Sequence, residues 1–187
     1  MNDDVIRINT TDSSIVTESI PKFDLVRGDS PIMNQVLPEF DFSNPPVDPI
    51  AFASSLVETC KAFNGIGLSA NQCGFNHRVF VMGANDDYVA FFNPKVIKEH
   101  GEVHMEEACL SFPLLGLHIT RAESVDVEYQ DYNGVTRQMS LIGIGARCFL
   151  HELDHMNGIV YTSRAKPLAL QQGLKRRVKL IKTMRRG

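Results

Sequence analysis

Residues 146 to 156 read Ala146-Arg147-Cys148-Phe149-Leu150-His151-Glu152-Leu153-Asp154-His155-Met156. The segment is mostly apolar, which predicts a largely buried helix. Two histidines four positions apart lie on the same side of a helix, and this arrangement suits a divalent metal ion. The glutamate after the first histidine is placed to exchange a proton with a water molecule at that ion. Two hydrogen-bonded core histidines are the alternative, but a metal ion would offset the cost of burying several ionisable groups in one apolar helix.

The position of a third ligand is restricted by the residues downstream of this helix. From Met156 to Gly187 the sequence holds no Asp, Glu, His or Cys, and Tyr161 stands where one class of zinc protease has its third histidine. Within this sequence, a third protein ligand must therefore come from upstream. Cys148 precedes His155 by seven residues, about 10 Å along a helix, which is too far to share the ion comfortably. Spacing leaves several thiols and imidazoles open as candidates: Cys60, Cys73, Cys109, His77, His100, His104 and His118.

Length and composition are typical of one globular domain over all 187 residues. No apolar run approaches the length of a transmembrane helix, and the acidic start, Met1-Asn2-Asp3-Asp4, argues against a signal or transit peptide. Four cysteines in a chain of this size indicate free or metal-bound thiols in a reducing compartment. We therefore expect a monomer without membrane contact in the cytoplasm, or in the host cytoplasm if the chain is viral.

Charge is divided unevenly along the chain. Nine Lys and Arg and no acidic residue follow His155, whereas ten basic and all twenty-two acidic residues precede Met156. A basic helix is predicted over residues 168–186. Its charges form either a solvated face or a contact with an anionic partner. Residues 1–20 are polar and predict a short strand or a loose arm. The apolar stripe of the basic helix is formed by Leu170, Leu174, Val178 and Ile181.

The other segments predict short strands and one further helix. Asp48 can cap a helix that has Pro49 in its first turn and spans residues 51–63. Strands are predicted over residues 78–82, 89–93, 124–130 and 135–141, and Gly158 ends the helix over 145–157. The fold class that we expect is α+β, with short antiparallel sheets packed around a central metal-binding HExxH helix and a C-terminal helix. The buried face of the helix over 51–63 is predicted to comprise Phe52, Leu56, Cys60 and Phe63.

Three segments, taken in order, resemble the peptide deformylase family. The family pattern is a GxGLAAxQ loop, an EGCLS segment and a QHExDH helix. This chain has GIGLSANQ at residues 65–72, EACLS at 107–111 and LHELDH at 150–155, and the resemblance covers about residues 47–160. Three residues depart from the pattern: Ser69 replaces an Ala, Ala108 a Gly and Leu150 a Gln. None of them removes a ligand, the acid or the loop glutamine, so they bear on pocket shape and turnover.

The resemblance implies a metal-dependent hydrolase that removes the N-formyl group from the N-terminal methionine of nascent polypeptides and releases formate. It selects Cys109 as the third ligand beside His151 and His155. One thiolate and two imidazoles accept either Fe²⁺ or Zn²⁺; the resemblance favours Fe²⁺ in vivo, with Zn²⁺ an option for the isolated protein. It also implies formyl-methionyl nascent peptides as partners, and the ribosome as a partner of the basic helix.

The resemblance further assigns roles around the ion. Glu152 would move the proton of the attacking water, while the side-chain amide of Gln72 and the backbone N–H of Leu110 would stabilise the oxyanion. The backbone of Gly67 would hold the peptide in an extended pose, and Asp154 would support the structure around the ligands. Candidates for the methionine pocket are Ile66, Met105, Ile144 and Cys148.

Two other functions use the same residues. One is a metallopeptidase with a Cys/His/His site that cleaves internal peptide bonds. The other is a non-catalytic domain stapled by zinc, which would need a closed set of four ligands. Glu152 and Gln72 argue against the staple, because a structural site requires neither of them.

Overall fold

The computed structural model describes Ile20 and residues 22–185. Its helices are α1 (Pro49–Ala62), α2 (Ile144–Met156) and α3 (Pro167–Met184). Its strands are β1 (Gly67–Ser69), β2 (Val79–Ala84), β3 (Asp87–His100), β4 (Val103–Glu107), β5 (Leu117–Arg121), β6 (Ser124–Gln130) and β7 (Thr136–Ile142). Short 3₁₀ segments span Pro31–Asn34, Ala70–Cys73 and Tyr161–Arg164. The predicted arm over residues 1–20 lies outside the described residues except for Ile20.

Two antiparallel sheets carry the fold. The larger sheet has the strand order β1-β2-β3-β6-β7, and β4 pairs with β5 in a separate ribbon. The predicted α+β class with short antiparallel sheets is therefore confirmed. The ribbon leads from β4 directly into the segment that contains Cys109, so its position relative to α2 decides how that thiol approaches the two histidines.

Helix α1 forms where the sequence predicts it. The Asp48 carboxylate accepts a hydrogen bond from Ala51 N at 2.7 Å, a cap that contributes about 1 kcal/mol. Phe52, Leu56 and Cys60 are buried as predicted. The prediction that Phe63 shares this buried face is wrong, because the helix ends at Ala62 and the Phe63 ring is half-exposed.

Several strands differ from the prediction. β6 has the predicted bounds, and β2 and β7 are each shifted by one or two residues. β3 is much longer than the predicted segment over 89–93, since it continues through Pro94 and pairs with β6 across register shifts. The sequence analysis does not predict β1, β4 or β5. β1 has only three residues, which is too short for an alternation to be visible.

Helix α2 is buried on nearly all sides, as its apolar sequence predicts. Phe149 packs edge-on against Phe80 and Phe91 of the large sheet, with ring centroids 5.3 and 5.4 Å away. The helix ends before Gly158, which has a φ of +68° that favours glycine. Because one side of α2 is fixed on the sheet, the side with both histidines is held towards the Cys109 segment.

Helix α3 packs along β5 with only part of its surface. Gly173 is buried against Leu115 and Leu117, whereas Leu174 and Val178 of the predicted apolar stripe remain largely exposed. The stripe is therefore only partly covered by the body. Among the described residues, no helix combines the length and apolar character needed to cross a membrane.

Candidate metal centre

Three side chains meet at one point between α2 and the segment after β4. One ligand atom from each of Cys109, His151 and His155 can be chosen so that all three lie within 4.8 Å of one another, and all three residues are buried. It is the one such group in the part of the chain that the structure describes. The structure thus brings together the two histidines of the helix and the thiol that the resemblance selects.

The spacing of these atoms matches a shared metal ion. Cys109 Sγ lies 3.4 Å from His155 Nε2. With a metal–sulfur distance near 2.3 Å and a metal–nitrogen distance near 2.0 Å, tetrahedral geometry places two ligand atoms about 3.5 Å apart. His151 Nδ1 is 3.1 Å from Glu107 Oε2, so the other ring nitrogen is left for an ion. A carboxylate on the far nitrogen is the usual support of a ligating histidine.

The electrostatics of the two histidines favour a cation between them and Cys109. Burial lowers the pKa of His151, but hydrogen bonds with Cys109 and Glu107 outweigh burial and raise that pKa to about 10. Burial holds the pKa of His155 well below its ordinary value, so this imidazole is neutral, as a metal ligand must be. The surroundings therefore stabilise a positive charge between the two histidines and Cys109. Either a proton on His151 or a metal ion can supply that charge.

Glu152 is the buried acid of the site. Its side chain lies near the β1 backbone, since a Cβ on Gly67 would stand 2.5 Å from Glu152 Oε1. Glu152 Oε2 is buried and has no hydrogen-bond partner among the described residues. Burial raises the pKa of Glu152 to about 7. A carboxyl group with a pKa near neutrality can both accept and return a proton.

Gln72 is held rigidly beside the thiol. Its Oε1 accepts a hydrogen bond from Ser69 N at 2.9 Å and lies 3.0 Å from the Ser69 hydroxyl. This fixes the amide so that Nε2 donates towards Cys109 Sγ and Ser111 Oγ, each at 3.3 Å. The departure from the family pattern at Ser69 therefore adds a contact to the loop glutamine.

The ligands are backed by a buried ion-pair network that the sequence analysis does not predict. Glu107 accepts hydrogen bonds from Arg121 at 2.6 Å and from Arg147 at 2.5 Å, and its second oxygen faces His151. Asp154 accepts from Arg121 at 2.7 Å and also pairs with Arg164. The sequence signal for this network is Arg147 inside an apolar helix, because a buried charge requires a partner.

A cavity of about 520 Å³ opens in front of the ligands. Cys109, His151, Glu152 and Gln72 line it, together with Leu110. Among the candidates for the methionine pocket, Ile66, Ile144 and Cys148 line the cavity, whereas Met105 does not. Gly67, predicted to hold the peptide through its backbone, also lines it. Four further apolar residues line the cavity without having been predicted to do so: Phe63, Phe112, Pro113 and Leu114.

The remaining thiols do not join the cluster. Burial raises the pKa of Cys60 and of Cys73 to about 12 and the pKa of Cys148 well above its ordinary value. These groups therefore stay protonated, whereas a metal ligand must be a thiolate. The helical spacing argument against Cys148 agrees with its absence from the three-residue group.

Known proteins share both the sequence and the fold. A peptide deformylase from Thermotoga neapolitana is 40% identical over 113 residues, which are 60% of this chain and 69% of that protein. The crystal structure of a peptide deformylase from Synechococcus elongatus in complex with actinonin has a TM-score of 0.77 and 29% identity, covering 84% of this chain and 86% of that one. A peptide deformylase structure from Legionella pneumophila has the same TM-score with 25% identity, covering 89% and 99%. The sequence profile described as polypeptide deformylase matches residues 23–171, and the chain belongs to that family.

Proposed function

We propose that Cys109, His151 and His155 bind one divalent metal ion, and that this centre performs the reaction of the family. As a peptide deformylase, the chain is a hydrolase that removes the N-formyl group from nascent polypeptides. The observation that carries the proposal is the buried group of three ligand atoms, whose spacing matches a shared ion. We propose Fe²⁺ as the native ion; the ligand set accepts Zn²⁺ as well.

The residues around the ion have distinct tasks. When bound, the ion supplies Lewis acidity, which polarises the formyl carbonyl and acidifies a water molecule. Glu152 takes the proton of the attacking water and returns it to the departing amine, for which a pKa of about 7 is suited. The Gln72 amide and the backbone N–H of Leu110 donate hydrogen bonds to the oxyanion, and one such donor contributes roughly 3–4 kcal/mol.

The peptide binds along β1 in this proposal. β1 lies at the edge of the large sheet and pairs with β2 alone among the described strands. A free strand edge can add an extended peptide through backbone hydrogen bonds. Gly67 allows this backbone to pass close to Glu152 and Cys148, since a Cβ there would lie 2.5 and 2.6 Å from their side-chain atoms. The formylated methionine then enters the cavity with Cys148 in its wall.

We also propose that the enzyme is a monomer with one catalytic domain. We place it where formylated chains are made, in the cytoplasm, and the four free thiols agree with a reducing compartment.

We further propose that α3 contacts ribosomal RNA where nascent chains emerge. The helix bears no acidic residue, and its solvent side carries a series of exposed basic residues. Such a surface is attracted to phosphate. The exposed basic residues are Lys175, Arg176, Lys179, Lys182 and Arg185.

The reaction is tested by formate release from a formyl-methionyl tripeptide, with protein purified without air and loaded with Fe²⁺. Glu152→Gln removes the proton acceptor at nearly constant volume, so formate release should fall by about 10²–10⁴-fold while metal content is unchanged. Glu102→Gln is the matched control, because Glu102 is an exposed carboxylate that does not line the cavity. This control should keep the wild-type rate.

The two other functions give different results in the same experiment. A metallopeptidase would cleave N-acetylated peptides at an internal bond without releasing formate. A non-catalytic domain stapled by zinc would release no formate, and Glu152→Gln would leave its metal content and its binding function unchanged. Absence of formate release from the folded, metal-loaded wild-type protein would contradict the proposed reaction.

A further inference from the structure

The mouth of the cavity is unusually apolar for a surface. Phe63 is 47% exposed, Ile66 50%, Leu114 44% and Ile144 55%, and all four line the same cavity. Single exposed apolar residues are ordinary, but several around one opening indicate a surface that a ligand covers. The metal ligands lie deeper, so this rim is reached by the part of a substrate that comes after the reacting group.

Leu114 adopts a conformation that bulky residues avoid. Its φ is +64°, in the left-handed region that is unfavourable for a residue with a Cβ. The turn is closed by Phe112 N donating to Cys109 O at 2.9 Å and by Leu115 N donating to Phe112 O at 3.3 Å. Backbone strain of this kind persists only when the surroundings enforce it, and it is concentrated at functional sites.

Helix α3 fixes the residues on both sides of Leu114. Arg177 Nε donates a hydrogen bond to Pro113 O at 2.9 Å. On the other side, Gly173 lets the helix approach Leu115 and Leu117 so closely that a Cβ on Gly173 would lie 3.2 and 2.7 Å from their side chains. Leu115 is buried by this contact, while Leu114 is left at the mouth of the cavity.

We propose that Leu114, held in place by α3, is a specificity-determining residue that, with Phe63, selects substrates with an apolar third residue. The proposal rests on the proposed deformylase function. An extended peptide advances about 3.3 Å per residue and its side chains alternate between two faces. When the formylated methionine fills the cavity, the third side chain therefore lies on the same side, about 6.6 Å further on, at the mouth of the cavity. There an apolar side chain loses water against the apolar rim, whereas a hydroxyl group loses its hydrogen bonds with water.

The test compares two tripeptides, formyl-Met-Ser-Leu and formyl-Met-Ser-Ser, by the ratio of their kcat/KM values. Leu114→Asn is the informative variant, because Asn tolerates positive φ but presents an amide. We expect the Leu/Ser ratio to fall about tenfold, as for the loss of a few buried methylene groups, mainly through KM of the leucine peptide. An unchanged ratio would overturn the proposal.

The role of α3 is tested separately. Gly173→Leu forces the helix away from Leu117, and the Leu/Ser ratio should fall in the same direction while the metal content stays that of the wild type. Gln172→Leu places the same side chain on an exposed neighbouring position, so the ratio should be unchanged. A fall in both variants, or in neither, would remove α3 from the proposal.

Failure of the specificity proposal can be separated from failure of the reaction. The Leu/Ser ratio of the binding constants is measured for the products, Met-Ser-Leu and Met-Ser-Ser, by calorimetric titration of the metal-loaded protein. If formate is never released but Leu114→Asn still lowers the binding ratio, the contact stands and the reaction is wrong. If formate is released and Leu114→Asn changes neither the kcat/KM ratio nor the binding ratio, the reaction stands and Leu114 has no part in specificity.

Discussion

At the residue scale, two buried glutamates beside His151 have opposite properties. Burial tends to raise the pKa of Glu107, but hydrogen bonds with His151 and Arg121 outweigh burial and lower it to about 2. Burial of Glu152 is not offset in this way, and its pKa rises to about 7. Environments that push two carboxyl groups apart in this way assign their roles. In the proposed reaction, Glu107 stays charged and orients a ligand, while Glu152 exchanges protons.

Arg147 is the residue that ties the metal ligands to the ribbon. It donates to Glu107 at 2.5 Å, to Ile119 O at 3.1 Å and to Val103 O at 2.7 Å, and so joins α2 to both strands of the ribbon. Arg147→Met should leave the Glu107 carboxylate partly uncompensated. Because this carboxylate orients His151, we expect metal affinity to fall about 10–100-fold.

The measurement for Arg147 is the dissociation rate of Co²⁺ from the protein in the presence of a chelator, followed by its thiolate absorption. Arg137→Met is the matched control, since Arg137 pairs with Asp131 in a partly exposed ion pair at the start of β7. Exposed pairs contribute little to stability, and this control should release Co²⁺ at the wild-type rate. Equal rates for all three proteins would contradict the role given to Arg147.

His77 makes the stability of the fold depend on pH. It lies among aromatic rings, with centroids 5.6 Å from Phe52 and 5.9 Å from Phe40, and burial lowers its pKa below the ordinary 6.5. Between these two pKa values the unfolded chain binds more protons, so the free energy of unfolding falls as the pH is lowered through 6.5. His77→Phe should remove this part of the pH dependence.

Between pH 7.5 and pH 5.5, the urea concentration at the midpoint of unfolding should decrease less for His77→Phe than for the wild type. The metal ligands titrate in both proteins, so the difference between the two slopes reports His77 alone. Parallel slopes would show that burial does not perturb this imidazole.

At the element scale, the sequence predicts the elements whose periodicity is plain. α1, α2 and β6 have apolar faces or runs that only one secondary structure explains. The predicted β3 is too short because Pro94 and the charged residues after it are typical of a strand end. The strand continues as a result of its pairing with β6, a long-range contact with register shifts that no local pattern contains.

The candidate site is likewise predicted from the sequence only in part. The His-x-x-x-His spacing identifies two ligands from α2 alone, and the third requires the resemblance, since several thiols satisfy the spacing equally well. The burial of Glu107 is not predicted, because acids are normally at the surface. Its burial depends on Arg121 and Arg147, which arrive from β5 and α2 only after folding.

At the scale of the whole molecule, the charge is divided between two surfaces. The acidic body contains the cavity, and the basic charges are concentrated on α3, whose outer side is exposed. In the structure these regions meet at Pro113 and Leu115. In the two proposals above, α3 both contacts RNA and supports the rim of the substrate site, so a truncation of α3 would change both properties together.

Neutralising lysines on the outer side of α3 separates the proposed RNA contact from the proposed support of the substrate-site rim. Combining Lys175→Gln, Lys179→Gln and Lys182→Gln keeps Gly173 and Arg177, so formate release from a short peptide should not change. Co-sedimentation with ribosomes at low salt should weaken, and the dependence of log binding on log salt should become shallower by about 0.7–0.9 per lost phosphate contact. The matched control neutralises three exposed lysines of the body, Lys22, Lys95 and Lys98. Because binding by net charge alone would weaken equally in both triple variants, only a larger loss in the α3 variant supports a contact through this helix.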